Sequence, residues 1–319
     1  MSAALPDMSP ILELAATAAR VATGRVPTEI RRFRTGAMHH VFEALFDGCS
    51  SVVIRMGMPG RRASMTGGIR LNRLLRTVGV PLPEVLAQGL DDPFPWVALE
   101  RLPGTDLGYV IGSLSNAQLQ SVAEGVAAAQ AAAALIGSSG RYGYAAESKD
   151  APYTRWSDVL EANLVRSRSR IRAAGLFRSN LVERVAALVA ARRDALDALP
   201  ATSFLHDTTT RNVIVSPAGR LSGIADVDDL CFGDPRYTPA LTMAVLLAHG
   251  GPVAYVEHWM RVADQRSDGL SRIYVALFLV DLMSEHGQRF NGNEQPSTPQ
   301  ARAALLHAFD IALRQAEVT

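Results

Sequence analysis

The segment HDTTTRNVIV, residues 206–215, decides how this chain should fold and which chemistry it should perform. Asp207 precedes Asn212 by five residues, and the asparagine leads directly into an apolar strand. A turn, SPAGR, and a returning strand, LSGIADV, then bring the chain back to Asp226. Such a hairpin places Asn212 and Asp226 side by side at its open end, with Asp207 on the loop before it.

These three side chains are of the types that phosphoryl transfer requires. The reaction needs a carboxylate to orient a hydroxyl and accept its proton, and it needs oxygen ligands for Mg²⁺ on the phosphates. Asp207 suits the first role, and Asn212 and Asp226 supply the hard oxygen ligands that Mg²⁺ prefers. The residues therefore predict a kinase that uses Mg²⁺ with ATP or GTP as phosphate donor.

Composition narrows the possible partners. The 319 residues are 48% hydrophobic and 20% charged, with a formal net charge of +1. This ordinary balance gives no reason to expect nucleic acid or an anionic membrane as a partner. The first residues lack the pattern of a signal peptide, no apolar stretch is long enough to span a bilayer, and the two cysteines form no disulfide or metal-binding pattern. We expect a cytoplasmic protein that acts on a small molecule, and the sequence does not indicate its oligomeric state.

The cations are almost all arginine. Of the 32 Lys and Arg residues, Lys149 is the one lysine. A phosphate-binding cation elsewhere in the fold must therefore be arginine, which stays charged and can bind two oxygens at once. A GC-rich coding genome would produce the same bias without any functional cause.

Apolar periodicity divides the chain into a β-rich and a helical part. A short helix over residues 10–23 leads into strands between residues 29 and 56, the helix GIRLNRLLRTVGV, and the strands VLAQGL and WVALERL. After the turn PGTDL, alanine-rich and amphipathic segments predict helices. We therefore predict an α+β fold with a β-rich, nucleotide-binding N-lobe over residues 1–103. Residues 104–319 form a mainly helical C-lobe that holds the catalytic hairpin and the acceptor site.

The hairpin and the tripeptide GDP at residues 233–235 resemble the aminoglycoside phosphotransferase family of small-molecule kinases. The same Asp-to-Asn spacing occurs in the protein-kinase catalytic loop. The resemblance extends over residues 30–243 and implies a two-lobed protein-kinase-like fold. It implies that Asp207 is the catalytic base and that Asn212 and Asp226 hold Mg²⁺. The implied reaction moves a γ-phosphate to a hydroxyl of a small molecule. We expect this acceptor to be an antibiotic or a related secondary metabolite, and the resemblance therefore also implies a role in antibiotic resistance.

The resemblance also assigns nucleotide-binding residues. Thr35 and Gly36 lie between strands where the family has its phosphate-covering loop. Arg55 ends the strand VVIR at the place of the family's phosphate-binding lysine. Glu100 and Leu102 lie in the hinge, where their backbone groups would meet the purine.

Residues for the acceptor follow from the same resemblance. Trp156, Asp158 and Glu161 begin a helix in the region where the family often binds its acceptor, although acidic residues at a helix start also complement the helix dipole. Asp228 and Asp229 follow the metal ligand closely. They contact the acceptor or a second metal, or they cap the next segment.

The sequence departs from the family pattern in several places. Arg55 replaces the lysine, and the first-lobe helix has Gly68 near the position of the family's glutamate, which leaves Asn72 or an unidentified carboxylate to orient the cation. His206 is one position closer to the aspartate than the family's histidine, and Thr238 stands where a second aspartate is common. The chain is identified as a diverged member of the family.

Alternating arginines over residues 166–172 have two interpretations. They form a solvated helix face, or they line the cleft and disfavour a polycationic acceptor because like charges repel. In the second case, a neutral or anionic hydroxylated acceptor is as well suited as an aminoglycoside.

Two other functions remain open at this point. The first is a nucleotide-binding pseudokinase with a regulatory or scaffold role, motivated by the missing glutamate and the arginine at position 55. The second is a metal-dependent hydrolase that uses His206 with Asp207, Asp226, Asp228 and Asp229. The hydrolase leaves the hinge and the glycine loop unexplained.

Overall fold

The chain folds into two units, one built on a sheet and one mainly helical. The computed structural model describes residues 11–33, 39–290, 293–294 and 297–318. Within these limits, the sheet unit comprises Met1–Arg73, Pro83–Leu102 and Arg289–Glu294. The helical unit comprises Leu74–Leu82, Pro103–Gln288 and Gln295–Thr319.

Helices account for about half of the described residues. They are α1 (Leu12–Thr23), α2 (Arg62–Thr77), α3 (Leu107–Val110), α4 (Asn116–Ala134), α5 (Trp156–Ala174), α6 (Asn180–Ala191), α7 (Arg193–Asp197), α8 (Tyr237–His249), α9 (Ala254–Val262), α10 (Gly269–Glu285) and α11 (Pro299–Glu317). The strands are β1 (Glu29–Arg32), β2 (His40–Phe46), β3 (Cys49–Met56), β4 (Val85–Gly89), β5 (Trp96–Glu100), β6 (Thr105–Asp106), β7 (Gly143–Ala145), β8 (Thr202–Phe204), β9 (Val213–Val215), β10 (Leu221–Ile224), β11 (Leu230–Gly233), β12 (Arg289–Phe290) and β13 (Asn293–Glu294).

The sheet unit is an antiparallel sheet with the strand order β1-β2-β3-β5-β4. Successive strand residues point to opposite faces, and one face packs Ile54 and Met56 against α1. The helix meets this face with Ala15, Ala18 and Ala19, which are buried and lie at helical spacing. Small side chains at these positions let α1 lie close to the strands.

The opposite face of this sheet packs against α2. Val53 and Val97 meet Met65 and Ile69 of the helix in a second apolar cluster. Arg55 follows Val53 by two residues and therefore lies on the same face. Only 9% of Arg55 is exposed, so this face buries a charged side chain beside its apolar residues.

The helical unit is centred on aromatic side chains from α5, α8 and α10. Trp156, Tyr237 and Tyr274 are fully buried, with edge-to-face ring centroids 5.1 Å apart for the first pair and 5.3 Å for the last. Burying each such ring contributes a few kcal/mol, on the order of 3. A second cluster joins α4, α9 and β9 through Val126, Val213 and other apolar side chains.

The hairpin predicted from the sequence is present in the helical unit. Strand β9 pairs antiparallel with β10 on one side and with β6 on the other. Gly104 immediately precedes β6 and has a φ of +110°. A Cβ at this position would lie 2.0 Å from the carbonyl oxygen of Val215, so the turn requires glycine.

The last part of the chain is not entirely helical. No strand was named in this part of the chain from the sequence, but the short strands β12 and β13 pair between α10 and α11. The sequence at residues 291–292 is Asn-Gly, a pair typical of hairpins, and it is the local signal for this change. In the described part of the chain, no helix combines the length and the hydropathy needed to cross a membrane.

Candidate active site

The loop between β8 and β9 carries the first two predicted catalytic residues. The side-chain Nδ2 of Asn212 donates a hydrogen bond to the carbonyl oxygen of Asp207 at 2.8 Å. The carbonyl oxygen of Asn212 accepts a hydrogen bond from the backbone N–H of Ala225, also at 2.8 Å. Asn212 is thus tied both to Asp207 and to the residue before Asp226. The structure brings the three predicted residues together on one loop and one hairpin.

The donor atoms at this hairpin fit a magnesium ion. Because Nδ2 of Asn212 donates to a carbonyl, the side-chain oxygen of this amide is its ligand atom. Asp226 is exposed and has a φ of +61°, a left-handed conformation that is uncommon for residues other than glycine and asparagine. A carboxylate held in this way with an oriented amide oxygen is the hard donor set that Mg²⁺ prefers.

The carboxyl of Asp207 is suited to accept a proton because its pKa is raised. Burial raises its pKa above the ordinary value, and the charge of Asp226 raises it further. His206 and hydrogen bonds from Asn212 and Thr209 act in the opposite direction. A carboxylate with a raised pKa is a stronger base, which suits proton transfer from a hydroxyl.

A buried polar network supports the loop from below. The carbonyl oxygen of Leu205 accepts hydrogen bonds from Nε2 of Gln130 at 2.8 Å and from the hydroxyls of Thr208 and Thr238, each at 3.0 Å. The side-chain oxygen of Gln130 accepts the N–H of Leu205 at 3.0 Å. Thr238, which stands where the family often has an aspartate, is fully buried in this support. The role of Gln130 was not predicted from the sequence.

His206 lies beside the acidic residues of the hairpin. Its Nδ1 is 3.4 Å from a carboxylate oxygen of Asp229, and its ring meets the edge of Tyr144 with the centroids 4.8 Å apart. Burial raises the pKa of Asp229, and the charges of Asp228 and Asp226 add to this rise against the effect of His206. The segment after Asp228 and Asp229 is strand β11, so these two residues do not cap a helix.

The GDP tripeptide is part of the core of the helical unit. Asp234 accepts hydrogen bonds from the guanidinium of Arg236 at 2.7–3.0 Å and from the hydroxyl of Tyr274 at 2.9 Å. The indole of Trp156 donates to the same hydroxyl at 2.9 Å and lies against Gly233, where a Cβ would be 2.2 Å from its ring. Trp156 is fully buried, and these contacts give it a structural role.

Asp158 and Glu161 on α5 form ion pairs within the helical unit. Asp158 accepts hydrogen bonds from Arg155 at 3.1 and 3.2 Å. Glu161 pairs with Arg193, whose guanidinium also lies 3.9 Å from Asp158. The structure therefore joins these two predicted residues to each other through arginine.

The alternating arginines of α5 also pair with carboxylates. Arg166 binds Asp281 at 3.0 Å, and Arg168 binds Glu183 at 2.8 Å. Arg170 acts electrostatically on Glu285, at the end of α10. The charges of Arg166, Arg168 and Arg170 are therefore at least partly matched by neighbouring acids.

Glu285 was not found by sequence reasoning. Burial raises its pKa to about 7, and the charges of Asp281 and Asp207 add to the rise, while Arg170 and Arg211 oppose it. It is the last residue of α10, where a negative charge opposes the helix dipole. This unfavourable position, at the end of a predicted helix, is the sequence feature that could have pointed to Glu285.

In the sheet unit, Arg55 is paired with a histidine. Its Nη2 donates a hydrogen bond to Nδ1 of His39 at 2.8 Å. Asn72, suggested from the sequence as a partner for Arg55, instead donates to the carbonyl oxygen of Pro83 at 3.2 Å. Thr35 and Gly36 lie outside the described residues.

The predicted hinge lies at the end of β5. The backbone N–H of Glu100 donates to the carbonyl oxygen of Glu84 at 2.9 Å, and the side chain of Glu100 accepts the N–H of Glu84 at 3.1 Å. The carbonyl oxygen of Leu102 accepts a hydrogen bond from Nη1 of Arg101 at 2.7 Å. These bonds fix the end of the strand on which the purine is expected.

Several solved structures are similar to this chain in fold. A GDP complex of aminoglycoside 2′-phosphotransferase-IIIa has a TM-score of 0.64 and 15% identity, covering 96% of each chain. A complex of aminoglycoside phosphotransferase APH(4)-Ia with AMP-PNP and hygromycin B has a TM-score of 0.61 and 18% identity, covering 96% of this chain and 99% of the other. A protein described as a fructosamine-3-kinase from Haemophilus somnus 129PT has a TM-score of 0.63 and 14% identity, covering 95% and 96%. No curated protein was found to be similar in sequence.

The predicted α+β, protein-kinase-like fold, with a sheet N-lobe and a helical C-lobe, is confirmed by these structures. A family profile, described as the phosphotransferase enzyme family, matches residues 29–272, which is most of the chain and includes the whole catalytic hairpin. The resemblance seen in the sequence is thereby confirmed, and the chain belongs to the phosphotransferase enzyme family.

Proposed function

We propose that this phosphotransferase moves the γ-phosphate of ATP or GTP to a hydroxyl group of a small molecule. Asp207 orients the hydroxyl and accepts its proton, which its raised pKa favours. Asn212 and Asp226 hold Mg²⁺, which when bound neutralises charge on the phosphates. The observation that carries the proposal is the double attachment of Asn212, to the backbone of Asp207 and to the residue before Asp226.

The sheet unit supplies the nucleotide contacts in this proposal. Arg55 binds phosphate oxygens, and the loop with Thr35 and Gly36 covers the phosphates. Backbone groups of Glu100 and Leu102 meet the purine. The burial of Arg55 is compatible with this assignment, because a guanidinium keeps its positive charge and can bind two phosphate oxygens at once.

The acceptor in our proposal is a hydroxylated antibiotic or a related secondary metabolite. Two structurally similar aminoglycoside phosphotransferases were solved as complexes, one with hygromycin B and one with gentamicin, which supports this class of acceptor. In this chain the carboxylate of Asp281 is already matched by Arg166, and Arg170 acts on Glu285. Fewer unmatched carboxylates attract a polycation less strongly, so a neutral hydroxylated acceptor suits the helical unit at least as well. Asp228 and Asp229 are the side chains that we assign to its binding.

Isosteric substitutions test the catalytic assignment. Asp207→Asn removes the base and should lower phosphate transfer by roughly 10²–10⁴-fold. Asp226→Asn replaces the charged metal ligand with a neutral and weaker one but keeps a side chain that tolerates a positive φ, and it should also abolish most transfer. Transfer would be measured with ATP and with GTP, in Mg²⁺, against a panel of hydroxylated antibiotics and metabolites.

The control is Asp264→Asn. Asp264 is exposed and has a φ of +50°, so it repeats the backbone condition of Asp226 away from the hairpin. This variant should keep wild-type transfer. Wild-type turnover in Asp207→Asn or Asp226→Asn would refute the assigned role of that residue.

The same assay separates the two alternative functions. A pseudokinase would bind nucleotide and transfer phosphate to no member of the panel. A metal-dependent hydrolase would cleave substrate without nucleotide. The hydrogen-bonded set of Asp207 and Asn212 beside Asp226 favours transfer over both.

A further inference from the structure

Arg55 is a buried cation at a defined place in the sheet. It lies on β3 opposite Val41 of β2 and Val97 of β5, on the face that α2 covers. A guanidinium has only donors, and a buried one must be oriented by acceptors. The position of its acceptor therefore decides where the remaining N–H groups point.

One acceptor of this guanidinium is the imidazole of His39. The distance from Nη2 of Arg55 to Nδ1 of His39 is 2.8 Å, and only 6% of His39 is exposed. Because arginine can only donate, Nδ1 must carry a lone pair, and the ring proton lies on Nε2. A neutral ring can orient the guanidinium while adding no negative charge of its own.

Helix α2 does not offer a carboxylate for this task. Its sequence, RASMTGGIRLNRLLRT, contains no acidic residue. Its amide, Asn72, donates to the carbonyl oxygen of Pro83. His39 comes instead from the start of β2, three residues after Gly36 in the sequence, next to the segment assigned to cover the phosphates.

We propose that His39 is a positioning residue that holds Arg55 for the phosphates of the nucleotide. This inference rests on the proposed function, because it requires that Arg55 binds those phosphates.

Two amide substitutions test the position of the acceptor atom. In His39→Asn the side-chain oxygen reaches the place of Nδ1, whereas in His39→Gln it reaches the place of Nε2. Binding of ATP and of GTP, each with Mg²⁺, would be measured by titration calorimetry. His39→Asn should bind within a few-fold of wild type, and His39→Gln should bind roughly 10- to 100-fold more weakly.

The second arm tests whether the effect acts through Arg55. In an Arg55→Met background, His39→Gln should cause no further loss of nucleotide affinity. His40→Gln is the matched control, since Nδ1 of His40 accepts a hydrogen bond at 3.1 Å from Arg32, which is exposed. It makes the same chemical change one residue away and should leave affinity unchanged.

The outcomes separate this inference from the function beneath it. Equal affinities of the Asn and Gln variants, or an equal loss from His39→Gln with and without Arg55, would overturn the role of His39 while wild-type transfer stands. A wild-type protein that binds neither ATP nor GTP would overturn the proposed function, and the inference with it. Thermal unfolding of each variant shows that it is folded. If His39→Gln does not fold, the affinity of His39→Asn and its coupling to Arg55→Met decide the question.

Discussion

Burial affects the pKa values of acidic residues beside the catalytic loop more than neighbouring charges do. Glu285 is the clearest case, because its pKa of about 7 lies far above that of a solvated glutamate. Two acids, Asp281 and Asp207, add to the effect, and two arginines only partly offset it. The folded protein therefore binds a proton at Glu285 more tightly than the unfolded chain does.

Glu285→Gln should stabilise the protein in a pH-dependent way. A carboxyl whose pKa is higher in the folded state than in the unfolded state stabilises the folded protein while it is protonated. This stabilisation is complete below the pKa of the unfolded state and is lost as the pH rises through about 7. The neutral amide avoids this loss. The gain in the free energy of unfolding should be small near pH 4.5 and reach roughly 2–3 kcal/mol at pH 8.

Urea unfolding at both pH values measures this difference. Glu257→Gln, on the exposed side of α9, is the control and should show no comparable pH dependence. An equal gain for Glu285→Gln at both pH values would contradict the proposed cause.

The sequence was enough to identify the residues to which we assign the chemistry, but not those that support them. Asp207, Asn212 and Asp226 could be recognised because their spacing along a hairpin is a local property. Gln130 and Thr238 could not, because they reach Leu205 from helices that are distant in the sequence. In a helix sequence, a glutamine or threonine that bonds a buried carbonyl looks the same as one that faces water.

At the scale of elements, the catalytic hairpin depends on a close backbone approach. Gly104 passes β9 so closely that a Cβ would lie 2.0 Å from the carbonyl oxygen of Val215. Two penalties would therefore act on any other residue at this position: the positive φ and the clash with backbone, which cannot rotate away as a side chain can.

Gly104→Ala should cost roughly 3 kcal/mol or more of stability and lower phosphate transfer by displacing β9. Gly137→Ala is the matched control, since Gly137 has a φ of +78° but no atom within 4 Å of its would-be Cβ. It should cost about 1–2 kcal/mol, the conformational term alone. Similar losses in the two variants, measured by denaturant unfolding, would show that the clash is relieved at no cost.

The elements themselves were predictable to different degrees. Helix α4 lies in one of the alanine-rich segments that predicted helices, and Ser115 forms a capping box with Gln118 at its start. Strand β11 was not expected. It pairs with β7 at Tyr144 and with β8 at Phe204, both far away in the chain, and a short apolar run does not reveal such partners.

At the scale of the whole molecule, ligand binding should appear as thermal stability. A nucleotide at one hundred times its dissociation constant stabilises the folded state by about 2.7 kcal/mol. For a chain of this length, that raises the melting temperature by about 4 °C.

Differential scanning fluorimetry with ATP or GTP should show this shift, and it should be larger with Mg²⁺ than without. Asp207→Asn should keep the shift, because the base is not needed for nucleotide binding. Asp226→Asn should lose the Mg²⁺-dependent part of the shift in melting temperature, whereas Asp264→Asn should keep it. A shift that is insensitive to Mg²⁺ in the wild type would argue against a metal site at the hairpin.

The near absence of lysine has a practical consequence for chemical labelling. Lys149 is paired with Glu147 at 2.8 Å, yet 71% of its side chain is exposed. Arg55 is a guanidinium and does not react with reagents that acylate amines. Nucleotide-derived acylating probes, which mark kinases through a lysine beside the phosphates, would pass over this protein, whereas an ordinary amine-reactive dye would tag Lys149 as its single side-chain target.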